Sequence, residues 1–367
     1  METIRVGTLF SGIGSFEWAL KRLGIKHKIV FACDNGDVDL NIDCEKELKK
    51  IKKTKNALEM KKYEDQLYSS VKKTNYVKKS YLANYEIDEN SFYNNVCLFD
   101  GSKYKNKIDI LVGGSPCQSF SIMGYKKGLE DTRGTLFYQY ARLVSEIKPK
   151  VFIYENVQGL LKHDKGKTWD IITKIFNSLG YSYKYAILNS KEYGIPQNRN
   201  RLFVIGFSNK KYCDKFIFPP KPKELKFKLQ DMLIEKCDEG YFKFEKIVRK
   251  PGKVDEKYFI SKKVQKHVMS VGTKNYVTKP KTDLEIARPL LATMHKMHRA
   301  GVDNYVTVNG KLRRLTPREC LRLMGFGDNF KQVVSDTQMY KQAGNSIVSD
   351  IFVNMIPNII DSGVFYK

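Results

Sequence analysis

The chain has 367 residues, with 65 Lys and Arg against 40 Asp and Glu and a formal net charge of +25. This length supports one large domain or two unequal ones but no second large enzyme, and the charge favours a nucleic acid partner unless the lysines reflect codon bias. Seven cysteines without a Cys-x-x-Cys pair argue against a disulfide framework or zinc site, and no apolar stretch reaches membrane-spanning length, so we expect a soluble, cytoplasmic protein without a metal.

Strand and helix patterns alternate along the first half of the chain. Residues 4–10 predict a strand, 11–15 a tight turn, 16–24 a helix and 28–33 a second strand. The alternation returns as strand 108–113, helix 135–147, strand 151–154, helix 168–179, and strands 182–188 and 201–207. We therefore predict an α/β fold with a doubly wound, mostly parallel sheet.

Two stretches interrupt this alternation. Residues 43–81 contain no Gly or Pro and are rich in Lys and Glu, which predicts a charged helical insertion. It could be a solvated addition or an extra contact to DNA or a partner. Residues 208–311 begin with a proline-rich linker and predict a small, irregular, β-rich domain. That domain is inserted into a larger one formed by residues 1–207 plus 312–367.

Two features of the first strands suit a ligand site. The turn Phe10-x-Gly12-x-Gly14 allows a ligand to approach the backbone closely, although it also fits an ordinary tight turn. Asp34 ends the second strand, at the position where dinucleotide-binding folds hold a ribose diol. The alternative for Asp34 is a surface aspartate in a turn.

Reactive side chains follow two later strands. Cys117 stands in the polar loop Ser115-Pro116-Cys117-Gln118, which favours a thiolate nucleophile over a buried apolar cysteine. Glu155 ends the next strand and is either a capping or salt-bridged residue or, in a crevice of low polarity, a proton donor. Arg199 and Arg201 alternate before another strand and form either a surface basic edge or a clamp for phosphate and a base edge.

These segments together resemble the S-adenosylmethionine-dependent DNA cytosine-5 methyltransferases of bacterial restriction-modification systems. The matching segments, in the family's order, are Phe10-x-Gly12-x-Gly14, Gly114-Ser115-Pro116-Cys117-Gln118-Ser119-Phe120-Ser121, Asp131-Thr132-Arg133-Gly134-Thr135-Leu136, Glu155-Asn156-Val157, Pro196-Gln197-x-Arg199-x-Arg201, Arg314-Leu315-Thr316-Pro317-Arg318-Glu319-Cys320 and Gln342-x-Gly344-Asn345-Ser346. The resemblance spans the chain except residues 43–95 and 208–311. It implies a Rossmann-like methyltransferase fold.

The resemblance also implies catalytic roles. Cys117 would attack carbon 6 of a cytosine flipped out of duplex DNA, and carbon 5 would then accept the methyl group. Glu155 would hold and protonate ring nitrogen 3, which stabilises the developing charge. Arg201 would contact the base oxygen, and Arg199 would support Glu155 and the backbone.

A cofactor pocket for S-adenosyl-L-methionine, released as S-adenosyl-L-homocysteine, is implied as well. Its residues would be Phe10, Gly12, Ile13, Gly14, Asp34, Pro116, Leu136, Asn345 and Ser346. Two departures from the family concern this pocket: Asp34-Asn35 stand where a glutamate and an aromatic residue are usual, and Asn94-Asn95-Val96 replace a Gly-Asp-Ile. Both put the adenine contacts in doubt but not the chemistry of Cys117.

The family's target-recognition domain corresponds to residues 208–311, which would read bases in the major groove. The predicted DNA contacts are Gln118, Ser121, Arg133, His295, Lys296, His298 and Arg299. We expect a monomer that binds double-stranded DNA near the bacterial nucleoid, with a cognate restriction endonuclease or as a solitary enzyme. A transfer RNA methyltransferase and an inactive DNA-binding homologue remain the alternatives, and the recognised DNA sequence cannot be read from the chain.

Overall fold

A computed structural model describes residues 2–116, 136–221, 224–244, 246–273 and 276–366. The predicted site residues Cys117, Gln118, Ser121 and Arg133 lie outside these described residues. The chain forms two compact units. Unit 1 comprises Met1–Leu188, Asn200–Pro219 and Met355–Lys367, and unit 2 comprises Asn189–Arg199 and Pro220–Asn354.

A seven-stranded sheet organises unit 1. Its strands are β1 Ile4–Leu9, β2 His27–Cys33, β3 Phe92–Tyr93, β4 Ile110–Gly113, β5 Val151–Val157, β6 Ser182–Asn189 and β7 Asn200–Phe207. Their spatial order is β3-β2-β1-β4-β5-β7-β6. The pairs β1–β2, β2–β3, β1–β4 and β4–β5 are parallel, whereas β5–β7 is antiparallel. The predicted doubly wound, mostly parallel sheet is confirmed.

The order of the strands reverses beside β1, where the chain returns from β3 to β4 on the other side. Open α/β sheets bind ligands in the crevice outside the carboxyl ends of the strands at such a point. The loops that leave β1 and β4 carry the glycine turn and Gly114–Pro116. The strand order alone therefore predicts that a ligand binds at these two loops.

Apolar side chains on both faces of the sheet hold unit 1 together. The helices of this unit outside the insertion are α1 Ser15–Arg22, α5 Leu136–Ile147, α6 Lys167–Ser178 and α7 Lys210–Lys215. Phe152 on β5 stacks on Phe176 of α6 with ring centroids 5.1 Å apart. Tyr140 of α5 donates a hydrogen bond to the carbonyl of Ile153 at 2.9 Å, so the helix is fixed to β5, the strand that carries Glu155.

The charged insertion forms three helices: α2 Cys44–Ile51, α3 Ala57–Tyr68 and α4 Tyr76–Asn84. The helical prediction is confirmed, and one face of the insertion is buried rather than solvated. Ile51 and Met60 are fully buried in the main apolar cluster, and Tyr81 is fully buried as well. The apolar residues at helical spacing form a face that packs into unit 1, and Lys61, 1% exposed, is buried with them.

Unit 2 is irregular, as predicted, and its strands within the described residues are short. They are β8 Phe242–Lys243, β9 Lys246–Ile247, β10 Gly272–Thr273, β11 Tyr276–Val277, β12 Tyr305–Val308 and β13 Lys311–Arg314, paired as antiparallel ribbons. The helices are α8 Lys262–Val268, α9 Pro317–Arg322 and α10 Asp336–Asn345, and α11 Ser349–Asp361 leads back into unit 1. Thr316 and Glu319 form a capping box at the start of α9.

The compact units divide the chain differently from the predicted functional domains. Residues 189–199 and 312–354 belong to unit 2 rather than to the sheet unit. One reason is that Glu319 accepts the backbone N–H of Ile234 at 2.9 Å and a hydrogen bond from Arg313 at 2.7 Å. The functional division into residues 1–207 plus 312–367 and 208–311 stays a prediction.

Candidate active site

The turn after β1 has the backbone geometry of a close-approach loop. Phe10, Gly12 and Gly14 have φ angles of 53°, 54° and 76°. Ser11 fixes this turn to the end of β2, because its N–H donates to the Cys33 carbonyl at 3.1 Å and its Oγ accepts the Cys33 N–H at 2.9 Å. The left-handed conformation favours glycine at positions 12 and 14. A Cβ on Gly14 would also lie 2.4 Å from the Tyr85 ring, whereas the space beside Gly12 is open.

Asp34 lies beside this turn, as predicted. Its Oδ2 accepts the N–H of Gly12 at 2.9 Å, and its Oδ1 accepts the N–H of Gly36 at 2.8 Å. Burial raises the pKa of the Asp34 carboxyl, and the two backbone hydrogen bonds partly oppose that shift. The structure therefore brings the glycine turn and its predicted ribose-binding acid together.

The residues before Cys117 are anchored to β5. Ser115 and Tyr154 share a hydrogen bond between their hydroxyl groups at 2.9 Å. The side-chain amide of Asn156 donates to the Ser115 carbonyl at 3.0 Å and to the Tyr154 hydroxyl at 2.7 Å. Pro116, the last described residue before Cys117, is exposed. The backbone that leads to the predicted nucleophile is thus fixed by three polar side chains.

Glu155 and Arg201 form an ion pair at the same edge of the sheet. Val157 on β5 pairs with Arg201 on β7, so Arg201 reaches Glu155 on the same face two residues away. Arg201 Nε lies 3.0 Å from Glu155 Oε1, and the two side chains are 18% and 12% exposed. The other carboxylate oxygen, Oε2, lies over Gly114, where a Cβ would be 2.8 Å from it. Gly114 therefore leaves the room that this carboxylate needs.

Arg199 lies in unit 2 and has different partners. Its guanidinium donates to the carbonyls of Leu290 at 2.8 Å, Gly344 at 2.9 Å and Ser346 at 3.0 Å. The side chain is 4% exposed, so it is no surface basic edge. These contacts fix the backbone of two predicted functional stretches, one around Asn345 and Ser346 and one in the segment that precedes His295.

The predicted DNA-contacting residues of unit 2 cluster in one irregular stretch. Lys296 is exposed, and His295 and His298 are partly exposed. His298 Nε2 shares a hydrogen bond with Thr293 Oγ1 at 2.9 Å, and Arg299 donates to Ser270 Oγ at 2.9 Å. The described residues contain no group of three or more His, Cys, Asp and Glu side chains arranged to hold a metal ion. Their helices likewise include none that is long and apolar enough to cross a membrane.

Several supporting residues of unit 1 escaped the sequence patterns. Tyr154 and Asn156 stand within the Glu155 motif, but only their contacts with Ser115 reveal their part in anchoring the loop. Tyr85 donates to the carbonyl of Gly14 at 2.6 Å from beyond the insertion. Asn75 reaches the carbonyl of Asp34 at 2.8 Å. The only available signal for Asn75 was an N-cap type of residue before a helix.

The glycine turn with its acid, and the acid–arginine pair beside an anchored loop, form a two-part candidate active site at the carboxyl ends of an open α/β sheet. A model of the family described as C-5 cytosine-specific DNA methylase matches residues 50–361. The chain is 38% identical over 256 residues to the type II methyltransferase M.HhaI of Haemophilus parahaemolyticus, which covers 68% of this chain and 75% of that protein. It is 34% identical over 300 residues to the type II methyltransferase M.Bsp6I of Bacillus sp. (strain RFL6). That match covers 74% of this chain and 90% of that protein.

The structure also resembles the crystal structure of the S. pombe Dnmt2 methyltransferase. The TM-score is 0.64 at 16% identity over 98% of this chain and 99% of that one, which supports the fold. The chain thus belongs to the C-5 cytosine-specific DNA methylase family and is a DNA cytosine-5-methyltransferase of the restriction-modification type.

Proposed function

We propose that this protein transfers a methyl group from S-adenosylmethionine to carbon 5 of a specific cytosine in duplex DNA, through a covalent adduct with Cys117. The observation that carries the proposal is the Glu155–Arg201 pair, in which the second carboxylate oxygen of Glu155, Oε2, lies over Gly114, three positions before Cys117. A nucleophile and an acid on adjacent strand ends suit addition to one ring atom with proton transfer to another.

Four residues have distinct roles in the proposed methyl transfer. The Cys117 thiolate adds to carbon 6 while Glu155 donates a hydrogen bond or proton to ring nitrogen 3, and Arg201 orients Glu155 and contacts the base oxygen. After methylation a base removes the carbon 5 proton, and Cys117 leaves as carbon 6 regains its double bond. Arg199 acts as a positioning residue, because its guanidinium donates to three backbone carbonyls.

The residues around β1 and β2 fit the proposed cofactor. Asp34 presents a carboxylate next to a turn whose positive φ angles leave its backbone open, as a ribose diol with a charged tail requires. Phe10, Gly12, Ile13, Gly14, Asp34, Pro116 and Leu136 would hold it, and the family resemblance adds Asn345 and Ser346. When bound, S-adenosylmethionine supplies an electrophilic methyl group.

Access to the cytosine ring requires that the base leaves the duplex, because the target atoms are inaccessible within the stack. We propose that Gln118, Ser121 and Arg133 contact DNA around the flipped base. His295, Lys296, His298 and Arg299 would contact DNA from the recognition domain. The net charge of +25 suits this partner. A cognate restriction endonuclease is proposed from the type II relatives.

The first test uses labelled S-adenosylmethionine with duplex DNA and, separately, with total RNA. We expect wild type to label DNA, and Cys117→Ser to lose about a thousandfold or more in rate. Glu155→Gln should lose about 10²–10⁴-fold, the usual worth of a general acid. Cys213→Ser, which changes a buried thiol of α7, is the matched control and should retain activity. Labelling of RNA alone would contradict the proposal, and no labelling would favour an inactive homologue.

A second test traps the adduct. Duplex DNA containing 5-fluorocytosine in place of cytosine should form a covalent complex with wild type and with Cys213→Ser, because fluorine cannot leave carbon 5 as a proton does. Denaturing electrophoresis detects the complex. If Cys117→Ala still traps the DNA, the nucleophile is a different residue.

A further inference from the structure

The segment that follows β2 contributes hydrogen bonds to three stretches around the proposed cofactor pocket. Tyr85 donates to the carbonyls of Ile13 at 2.9 Å and Gly14 at 2.6 Å, so it holds the glycine turn. Glu64 on α3 is 2% exposed, and its Oε1 accepts the N–H groups of Asn94 and Asn95, each at 2.9 Å. The insertion therefore shapes the pocket from outside the family's matching segments.

Asn75 is the residue that joins two of these stretches directly. Its Nδ2 donates to the carbonyl of Asp34 at 2.8 Å and to Oδ1 of Asn94 at 3.1 Å. Its Oδ1 caps α4 by accepting the N–H of Lys78 at 2.9 Å. A Cβ on Gly36 would lie 2.1 Å from Asn75 Oδ1, so the amide packs against the turn that follows Asp34. All of these residues belong to unit 1.

We propose that Asn75 is a positioning residue for cofactor binding, which fixes the backbone of Asp34 relative to the loop that begins at Asn94. This inference rests on the proposed S-adenosylmethionine cofactor. Asp34 and Asn94 stand at the two places where the chain departs from its family, Asp34-Asn35 and Asn94-Asn95-Val96. Asn75, as a hydrogen-bond donor shared by Asp34 and Asn94, sets the distance between these two residues. A ligand whose ribose binds the acid and whose adenine binds the loop requires that distance to be fixed.

The insertion contains a matched residue without this role. Asn56 caps α3 just as Asn75 caps α4, because its Oδ1 accepts the N–H of Glu59 at 3.0 Å. Aspartate is as good an N-cap as asparagine. Asn75→Asp and Asn56→Asp therefore both preserve the cap, but only Asn75→Asp replaces a donor to Asp34 and Asn94 by an acceptor.

The test measures binding of S-adenosylhomocysteine to the full chain by isothermal titration calorimetry. Loss of one hydrogen bond that organises the site should raise the dissociation constant about five- to tenfold in Asn75→Asp and Asn75→Ser. Asn56→Asp should bind like wild type. In the methylation assay, KM for S-adenosylmethionine should rise by the same factor in the Asn75 variants, while kcat at saturating cofactor and KM for DNA stay unchanged.

Two results would overturn the inference while leaving the proposed function intact. The first is wild-type affinity in both Asn75 variants. The second is an equal loss in Asn56→Asp, which would assign the effect to helix capping. Failure of wild type itself to bind S-adenosylhomocysteine would instead refute the proposed cofactor, and the inference with it.

Discussion

The two units bury their charged groups in different ways. In unit 1, the buried acid Glu17 is satisfied by hydroxyl groups, since Thr8 and Tyr81 donate to its Oε1 at 2.8 and 2.5 Å. In unit 2, Arg313 and Arg322 are fully buried and pair with acids. Burial raises the pKa of Glu17, which favours its neutral form. Glu17 thus lies buried with a weakened charge, whereas Arg313 and Arg322 keep their charges and order the backbone around them.

The largest expected effect concerns Arg322. Its guanidinium lies 2.6 Å from Asp328 and donates to the carbonyls of Met232 at 3.0 Å and Cys237 at 2.8 Å. Arg322→Met should lower the free energy of unfolding by about 3–5 kcal/mol, because it removes the buried guanidinium that pairs with the Asp328 carboxylate and donates to these carbonyls. Urea unfolding measures this loss.

The matched control is Lys210→Met, which breaks an exposed ion pair with Asp214 and should cost about 0–1 kcal/mol. Adding Asp328→Leu to Arg322→Met should restore part of the stability, since the unpaired charge is then gone. If Arg322→Met and Lys210→Met lower the free energy of unfolding equally, the buried ion pair of unit 2 contributes no more than an exposed one.

This difference also explains which parts of the molecule the sequence predicts. Apolar periodicity predicted β2 as 28–33 where the structure has His27–Cys33, and it placed Asp34 directly after that strand correctly. It ended the next catalytic strand at Glu155, whereas β5 continues to Val157. Unit 2 offers no such periodicity. The burial of Arg322 depends on distant partners such as the Met232 carbonyl, and sequence patterns place arginine at the surface because it is normally exposed. Family motifs located Arg199, but only the structure shows that it binds carbonyls.

The packing of the insertion against the sheet could not be predicted for a related reason, although its helices could. Its lysines and glutamates suggested a solvated surface, and nothing in the spacing of these residues indicates that Glu64 is buried. The contact between Asn75 and Asp34 joins residues 41 positions apart. Local patterns carry no information about such pairs, since they depend on how α4 docks against the sheet.

A smaller effect is expected at the buried acid of unit 1. Tyr81→Phe removes one hydroxyl donor from Glu17 and should lower the free energy of unfolding by about 1 kcal/mol, because Thr8 remains as a second donor. Chemical denaturation at pH 7 measures the change. Tyr185→Phe, at a tyrosine that is 50% exposed, is the control and should stay within about 0.5 kcal/mol of wild type. A loss as large as that of Arg322→Met would remove the contrast between the units.

The smallest effects are pH dependences of opposite sign in the two units. Although burial opposes it, hydrogen bonds from Arg5 and Lys150 lower the pKa of Asp109 in unit 1. A carboxyl with a lowered folded pKa stabilises the protein above its unfolded pKa and loses that contribution as the pH falls through the folded value. The stability difference between wild type and Asp109→Asn should therefore shrink as the pH falls from 5 to 3.

Asp303 in unit 2 should behave in the opposite way. Burial raises its pKa, and the N–H of His298, 2.8 Å from Oδ2, opposes the rise only partly. The folded state then binds the proton more tightly than the unfolded state, so stability falls as the pH rises from the unfolded pKa towards the folded one. Asp303→Asn, measured against wild type by urea unfolding, should gain relative stability of the order of 1 kcal/mol or less between pH 4 and 7. A relative loss over that range would mean that His295 and His298 hold the carboxylate charged, and that unit 2 pairs its buried acids throughout.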